Sequence, residues 1–427
     1  MITSPIFAGK RYAVLGLARS GVAVVDSLLA SGADITAWDG DEAKRNAYRG
    51  TLDFADPLTL DLSGYAGVVV SPGVPLNRHP IGPHAASFGV PVIGDIELFA
   101  QSRPHLPPHK VVGITGTNGK STTTALIHHM VAGAGVPSLM GGNIGLPILG
   151  RDPLAEGGVY VLELSSYQID LTFSLDCDVA VLTNITPDHL DRYDGFDAYA
   201  ASKARLFAMQ SAGDAAVIDY PAEADHGVLD GAPDGLGCLF IDDVPVVGQE
   251  DWPALQGPHN RQNAACAIAV GRILGLSDEA IDHGLRTYPG LPHRMERVGE
   301  KGGVLFVNDS KATNATATAP ALAAYPAIHW ILGGLPKTDE LDDCAPFFGH
   351  VRGGYTIGQA GPLFAGILRD AGLPVTESET LDQAVRDAAA AAQPGEVVML
   401  SPACASFDQF TDFEARGKAF RRAVEML

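Results

Sequence analysis

Short, continuous apolar runs closed by glycine, serine or asparagine recur along the whole chain. Such runs suit strands buried on both faces of a parallel sheet. Tyr12 to Gly16, Asp34 to Trp38 and "GVVVSPGVP" make a first group. Between the first two, "GVAVVDSLLA" carries apolar residues at helical spacing. A second group starts at Lys110 to Ile114 and continues through "GVYVLELSS" and "CDVAVLTNI". A third holds "GVLFVNDS", "AIHWILGG", "RGGYTIG" and "EVVMLSP", with helical segments between them. Two Pro/Gly-rich breaks divide the groups: Gln101 to Lys110, read as a linker, and Tyr288 to Val298. The pattern predicts an α/β chain of largely parallel sheets covered by helices, in three domains at 1–103, 104–291 and 292–427. Ligands of such sheets gather at the carboxyl ends of strands, where every motif below falls.

Length and charge narrow the chemistry. A chain of 427 residues exceeds one ordinary core. Acidic residues outnumber basic ones 50 to 29, for a formal charge of −21. That balance argues against nucleic-acid or anionic-membrane partners. An anionic substrate must then be held by a few local cations and backbone N–H groups. The cysteines Cys177, Cys238, Cys266, Cys344 and Cys404 are far apart and form no C-x-x-C pair, as expected of buried free thiols in a reducing compartment. The N-terminus lacks the pattern of a secretory signal, and no apolar stretch is long enough to span a bilayer, so a cytoplasmic place is expected.

Two loops suggest phosphate chemistry. "GLARSG" (Gly16, Ala18, Gly21), with Asp39 ending the next strand, is a dinucleotide fingerprint whose second glycine is replaced. A nicotinamide site, another nucleotide and a plain tight turn all remain open there, and Ser71-Pro72-Gly73 fits either nucleotide reading. "GITGTNGKST" is more specific. It ends in Gly119-Lys120-Ser121, but Ile114 stands where the usual G-x-x-x-x-G-K-[ST] loop has its first glycine. Glycines 113, 116 and 119 free backbone N–H groups to point inward. Lys120 can reach terminal phosphates, and Ser121 can ligate Mg²⁺ at the head of a helix. Glu163 ends a strand, where a carboxylate can hold a metal or simply bond to backbone. His189 follows the next strand, as a ligand or a packing residue. Lys203 shares a helix face with Tyr199 and, by itself, reads as a snorkelling lysine.

The phosphate loop resembles the ATP loop of the Mur ligases and folylpolyglutamate synthases. The resemblance extends through "GGNIG", "LELSSYQ", "TNITPDHLDRY", "YAASKARLF", "GPHNRQNAACA", "LPHRMERV", "NDSKATN" and "LSPACASFDQF", in the family's order. It implies a Rossmann-like N-terminal domain, a central P-loop ATPase-type domain and a Rossmann-like C-terminal domain. The activity implied is that of a cytoplasmic, monomeric, amide-forming ligase of peptidoglycan biosynthesis, and so of cell shape and division. It would use ATP to join D-glutamate to UDP-N-acetylmuramoyl-L-alanine through an acyl phosphate. A related ligase with another amino acid, such as L-glutamate, is the alternative.

The same resemblance implies the residue roles. Gly116, Thr117, Asn118, Gly119, Lys120, Ser121 and Thr122 would hold ATP, with Asn263 at adenine, Asp309 and Lys311 at ribose and phosphate, and Arg294 on the transferred phosphoryl group. Two Mg²⁺ ions would be bound by Ser121, Glu163, His189 and Lys203, the last as a carbamate made with CO₂. Gly16, Arg19, Ser20, Asp39, Ser71, Pro72, Gly73 and Asn143 would bind the uridine diphosphate substrate. Thr313, Lys337, Ser406, Phe407 and Phe413 would form the D-glutamate pocket. The family's G-G-D-x-K pattern reads "GGLPK" here, which keeps the lysine and stiffens the loop with Pro336. Asp41 stands where relatives can carry a basic residue.

Overall fold

Three sheets follow one another along the chain in the computed structural model, which describes residues 1–46, 48, 50, 52–188, 192–219 and 227–427. The first sheet has β1 (Arg11–Leu15), β2 (Asp34–Trp38), β3 (Asp53–Phe54), β4 (Tyr65–Val70) and β5 (Val92–Ile93), in the order β3-β2-β1-β4-β5. The second has β6 (His109–Thr115), β7 (Ser138–Gly142), β8 (Gly158–Glu163), β9 (Val179–Leu182), β10 (Ala215–Ile218) and β11 (Gly237–Phe240), in the order β11-β10-β9-β6-β8-β7. All pairs in both are parallel. These two sheets lie in one compact unit, Met1–Pro245 with Gln262–Gly284.

The second unit, Val246–Arg261 with Leu285–Leu427, holds the third sheet. Its strands are β12 (Glu296–Lys301), β13 (Val304–Asn308), β14 (Ile328–Gly333), β15 (Val351–Ile357), β16 (Val375–Glu379) and β17 (Val397–Leu400). The order is β12-β13-β17-β14-β15-β16, antiparallel only between β12 and β13.

This topology puts the motifs at the places where strand order reverses. β1 lies between β2 and β4, and "GLARSG" follows it. β6 lies between β8 and β9, and the phosphate loop follows it. At such a point the two neighbouring connections leave on opposite faces, opening a crevice above the strand. β8 and β9 are buried along their full length, in keeping with their unbroken apolar runs.

Two expectations change. The Gln101–Lys110 segment is not a free linker. Gln101 and Ser102 finish the helix Asp95–Ser102, and β6 already begins at His109. Arg103 ties the turn between them to the Asp176 carbonyl and the Asp178 carboxylate. Among the cysteines, Cys238 is exposed, because it sits on the edge strand β11; the other four are buried and all are free.

One buried carboxylate joins the first sheet's last helix to the central sheet. Glu97 accepts from the N–H groups of Phe173 (2.7 Å) and Ser174 (2.9 Å), the Ser174 hydroxyl (2.7 Å) and Gln101 (2.9 Å). Replacing it would leave four part-buried donors without their acceptor. Glu97→Ala should therefore destabilise the first unit by about 3 kcal/mol, the scale of charged hydrogen bonds lost with partners left unpaired. Urea unfolding of the full chain measures this, and an unchanged midpoint would refute it.

Candidate active site

The phosphate loop leaves β6 at Thr115 and enters the helix Lys120–Gly133. Its glycines are set by close approaches. A Cβ on Gly116 (φ +143°) would lie 2.1 Å from Thr183 Oγ1, and one on Gly119 (φ +82°) 2.3 Å from Asn263 Oδ1. The loop is laced to the end of β9. Thr117 N–H donates to the Asn184 carbonyl (2.9 Å) and Asn118 N–H to Asn184 Oδ1 (2.8 Å). Those two amides are thus committed within the protein. The head of the helix, where Lys120, Ser121 and Thr122 stand, has no side-chain cap, leaving backbone N–H groups for an anion.

Two lysines meet at this loop. Lys120 Nζ donates to the carbonyls of Gly116 (2.9 Å) and Thr117 (2.8 Å). Lys203 Nζ, buried in the helix Gly195–Ala208, donates to the same Gly116 carbonyl at 2.8 Å. It also lies 4.5 Å from the centre of the Tyr199 ring. Burial first, and then the Lys120 charge, bring the Lys203 pKa down from 10.5 to about 7, against the pull of Asp188 and Asp170. The snorkelling reading is therefore wrong: this amine is inside, and much of it is neutral near pH 7.

Glu163 ends β8, paired with Ile114 on β6 just before the loop, and is buried. Its Oε1 accepts from Asn143 Nδ2 (2.8 Å), while Oε2 is buried with no hydrogen-bond partner among the described residues. Asn143 N–H in turn donates to the Glu163 carbonyl (2.8 Å), so its amide serves the carboxylate that a cation would need. His189 lies outside the described residues. Among the described residues, no three His, Cys, Asp or Glu side chains cluster as a ready metal site. Asn263, in the helix Pro258–Ile273, accepts from Thr123 Oγ1 (3.2 Å) and rests against Gly119, at the loop head itself.

The first sheet gathers Gly16, Arg19, Ser20, Asp39 and Ser71 at its carboxyl edge, with Pro72 and Gly73 following β4. Ser71 Oγ donates to the Gly16 carbonyl at 3.2 Å. Asp39 is spent on the protein. It accepts from the N–H groups of Leu17 (2.7 Å) and Asp41 (2.9 Å) and from Lys44 (3.3 Å). Burial alone would raise its pKa, but these donors outweigh it and hold the carboxyl below the ordinary value. A nicotinamide ribose would have to compete with them.

In the second unit, three adjacent strands supply three loops: β13 leads to "NDSKATN", β17 to "SPACASF" and β14 to "GGLPK". A bridge between Leu335 and Ala405 (N–O 2.9 and 3.0 Å) ties the last two together. Lys337 Nζ donates to Thr313 Oγ1 at 3.0 Å, so two expected pocket residues do meet. Ser406 is buried beside this bridge, Phe407 is exposed, and Phe413 opens the helix Phe413–Glu425. Lys311 Nζ lies 5.7 Å from the centre of the Phe413 ring. Asp309 is buried, accepting from Ser401 Oγ (2.8 Å) and Met295 N–H (3.1 Å). Burial pushes its pKa up to about 7, with Ser401, Arg294 and Met295 opposing. Arg294 Nε is buried with no hydrogen-bond partner among the described residues. Burial, helped by the nearby Arg294 charge, holds His259 down at about 4.

Sequence reasoning missed Arg416. It is buried and donates to Ser310 Oγ (3.0 Å) and to the carbonyls of Ser310 (2.9 Å), Cys404 (3.0 Å) and Ala405 (3.3 Å), bracing two of the loops. The signal was present: Arg416 occupies the helical stripe of Phe413, Gly417, Phe420 and Val424, where a core residue is expected.

Known proteins resemble this chain in sequence and in fold. Residues 114–227 match the Mur ligase middle domain, and residues 293–404 the Mur ligase, glutamate ligase domain. The UDP-N-acetylmuramoylalanine–D-glutamate ligase of Novosphingobium aromaticivorans is 66% identical across all of this chain and 97% of its own length. That of Zymomonas mobilis is 59% identical over the whole of both chains. Among solved structures, the UDP-N-acetylmuramate-alanine ligase of Thermotoga maritima aligns with a TM-score of 0.60 at 16% identity, over 98% of this chain and 99% of its own. A bifunctional folylpolyglutamate synthase/dihydrofolate synthase from Yersinia pestis gives 0.55 at 21%, over 78% and 93%. These two likenesses speak for the fold, and the much closer sequence relatives speak for descent. The chain belongs to the Mur ligase family.

Proposed function

We propose that this protein is a cytoplasmic, monomeric ligase that uses ATP to add D-glutamate to UDP-N-acetylmuramoyl-L-alanine. One observation carries the reading: the buried Lys203 amine shares the Gly116 carbonyl with Lys120 on the loop after β6, and the next strand, β8, ends in the half-unpaired Glu163 carboxylate. A site built for phosphoryl transfer to a carboxylate needs this chemistry. The full-length likeness to D-glutamate ligases supplies the substrates.

The first sheet would hold the uridine diphosphate at Gly16, Arg19, Ser20 and the Ser71-Pro72-Gly73 loop. Its domain would span 1–103, the ATP domain 104–291 and the amino-acid domain 292–427. Lys120 and the uncapped helix N–H groups at Ser121 and Thr122 would bind phosphate oxygens. The γ-phosphoryl group passes to the alanine carboxylate, forming a P–O bond and releasing ADP. The D-glutamate amine then attacks the acyl carbon, loses a proton, and phosphate leaves. Lys120 and Arg294 would offset charge on the transferred group. Asp309 and Lys311 would contact ribose and phosphate, and Asn263 adenine. Lys337 and Thr313, with Ser406, Phe407 and Phe413, would receive D-glutamate.

The orphaned Glu163 Oε2 fits a cation, so Ser121, Glu163, His189 and carbamylated Lys203 would hold two Mg²⁺ ions. Magnesium, when bound, neutralises charge on the phosphoryl oxygens. Lys203 fits the carbamate as well. Its neutral amine forms an N–C bond with CO₂ and releases a proton, leaving an anion that the Lys120 charge attracts.

Phosphate release from ATP tests the function. It should require both UDP-N-acetylmuramoyl-L-alanine and D-glutamate, and release that ignores either substrate would refute the proposal. Lys203→Ala should lose most activity and recover part of it with acetate. At fixed, limiting dissolved CO₂, activation of the native enzyme should rise with pH through about 7, because the depressed pKa makes the reactive neutral amine abundant above it. A profile flat from pH 6 to 8 would sink the carbamate. Lys337→Ala should raise the KM for D-glutamate roughly 10- to 150-fold, the worth of one charged hydrogen bond, and leave that for UDP-N-acetylmuramoyl-L-alanine nearly unchanged. Equal effects on both would remove Lys337 from the pocket.

A further inference from the structure

The turn that carries Arg294 is held in a conformation most side chains avoid. Both flanking residues are left-handed: His293 at φ 64° and Met295 at φ 47°. Neither is a glycine, and such strain persists only where surrounding contacts over-determine it.

The contacts that do so are all in the second unit. His293 N–H donates to Glu296 Oε2 (2.9 Å), and the His293 carbonyl accepts from Lys311 N–H (3.0 Å). Met295 N–H donates to Asp309 Oδ1 (3.1 Å). The His293 ring is gripped separately. Asn308 Nδ2 faces its Nδ1 at 2.9 Å, and also Glu296 Oε2 (3.0 Å) and the Gly417 carbonyl (3.2 Å). These contacts fix the plane and position of the ring. Arg421 engages the other Glu296 oxygen. Behind the ring, a Cβ on Gly417 would lie 2.1 Å from His293 Nδ1. Glycine is the residue that lets the helix Phe413–Glu425 approach so closely.

These grips converge on a residue they do not touch. Arg294 lies between the two strained positions, with a buried Nε that no described protein group satisfies. We infer that Glu296, Asn308 and Gly417 are positioning residues that aim the Arg294 guanidinium at an anionic group, acting through His293. The anion is a phosphate of the nucleotide, which rests on the reading of Arg294 given above. Packing alone would need neither two left-handed residues in a row of three nor an unpaired guanidinium nitrogen at their centre.

The test is a double-mutant cycle in the full chain, reading kcat/KM for ATP and KM for D-glutamate. Gly417→Ala and Asn308→Ala should each lower kcat/KM for ATP roughly 10- to 100-fold, as misplacement of a catalytic group does. The KM for D-glutamate should stay within about twofold. In an Arg294→Ala background the same changes should cost almost nothing more, because the group they aim is gone. Glu296→Gln, which keeps an acceptor for His293 N–H, should retain more activity than Glu296→Ala. If Gly417→Ala does not fold, Asn308→Ala carries the cycle. Full additivity with Arg294→Ala, or unchanged kcat/KM for ATP, overturns the inference. A normal Arg294→Ala enzyme overturns the reading of Arg294 itself, and this inference with it.

Discussion

Two lysine amines share one carbonyl oxygen at the head of the central sheet, and the site is organised around that crowding. Lys120 and Lys203 both donate to Gly116, and Lys203 does so from the interior. Burying a charge beside a like charge is costly, so the protein lowers the Lys203 pKa to about 7. The cost has a chemical return, because a neutral buried amine is a nucleophile that an exposed lysine is not at the same pH. The Gly116 carbonyl can serve both lysines because the residue has no side chain to meet Thr183.

Around that point the fold supplies rigidity rather than chemistry. The phosphate loop is fixed by Asn184 and Thr183 at the end of β9, the neighbouring strand on one side of β6. Glu163 and its partner Asn143 come from β8 and from the loop after β7, on the other side. The crevice at the strand-order reversal therefore has one wall that shapes the loop and one that presents a carboxylate. Glu97, far from the chemistry, holds the first sheet's last helix to the same core.

The third sheet repeats the principle with different loops. β13, β17 and β14 are neighbours, so motifs separated by tens of residues become adjacent, and the Leu335–Ala405 bridge closes two of them on each other. Arg416 braces them from below with donors to three carbonyls and a hydroxyl. A buried guanidinium is stable there because its donors are distributed over backbone oxygens, a planar fan of donors that a lysine does not have.

The sequence alone determined the element types, the largely parallel sheets and the phosphate loop. Each depends on local periodicity or on glycine spacing within one segment, and β8 and β9 fall on the apolar runs that announced them. Motif order along the chain was likewise enough to indicate the family. Only the tertiary structure decided which side chains are spent. It committed Asp39 to Leu17 and Asp41, turned Asn143 toward Glu163, set Asn263 against Gly119 and tied down the segment read as a linker. It also took Lys203 inside, where the helix pattern had left it at the surface. The physical reason is common to all of these. Burial, proton affinity and hydrogen-bond partners depend on strands brought together from distant parts of the chain, and no local spacing records which neighbours those will be.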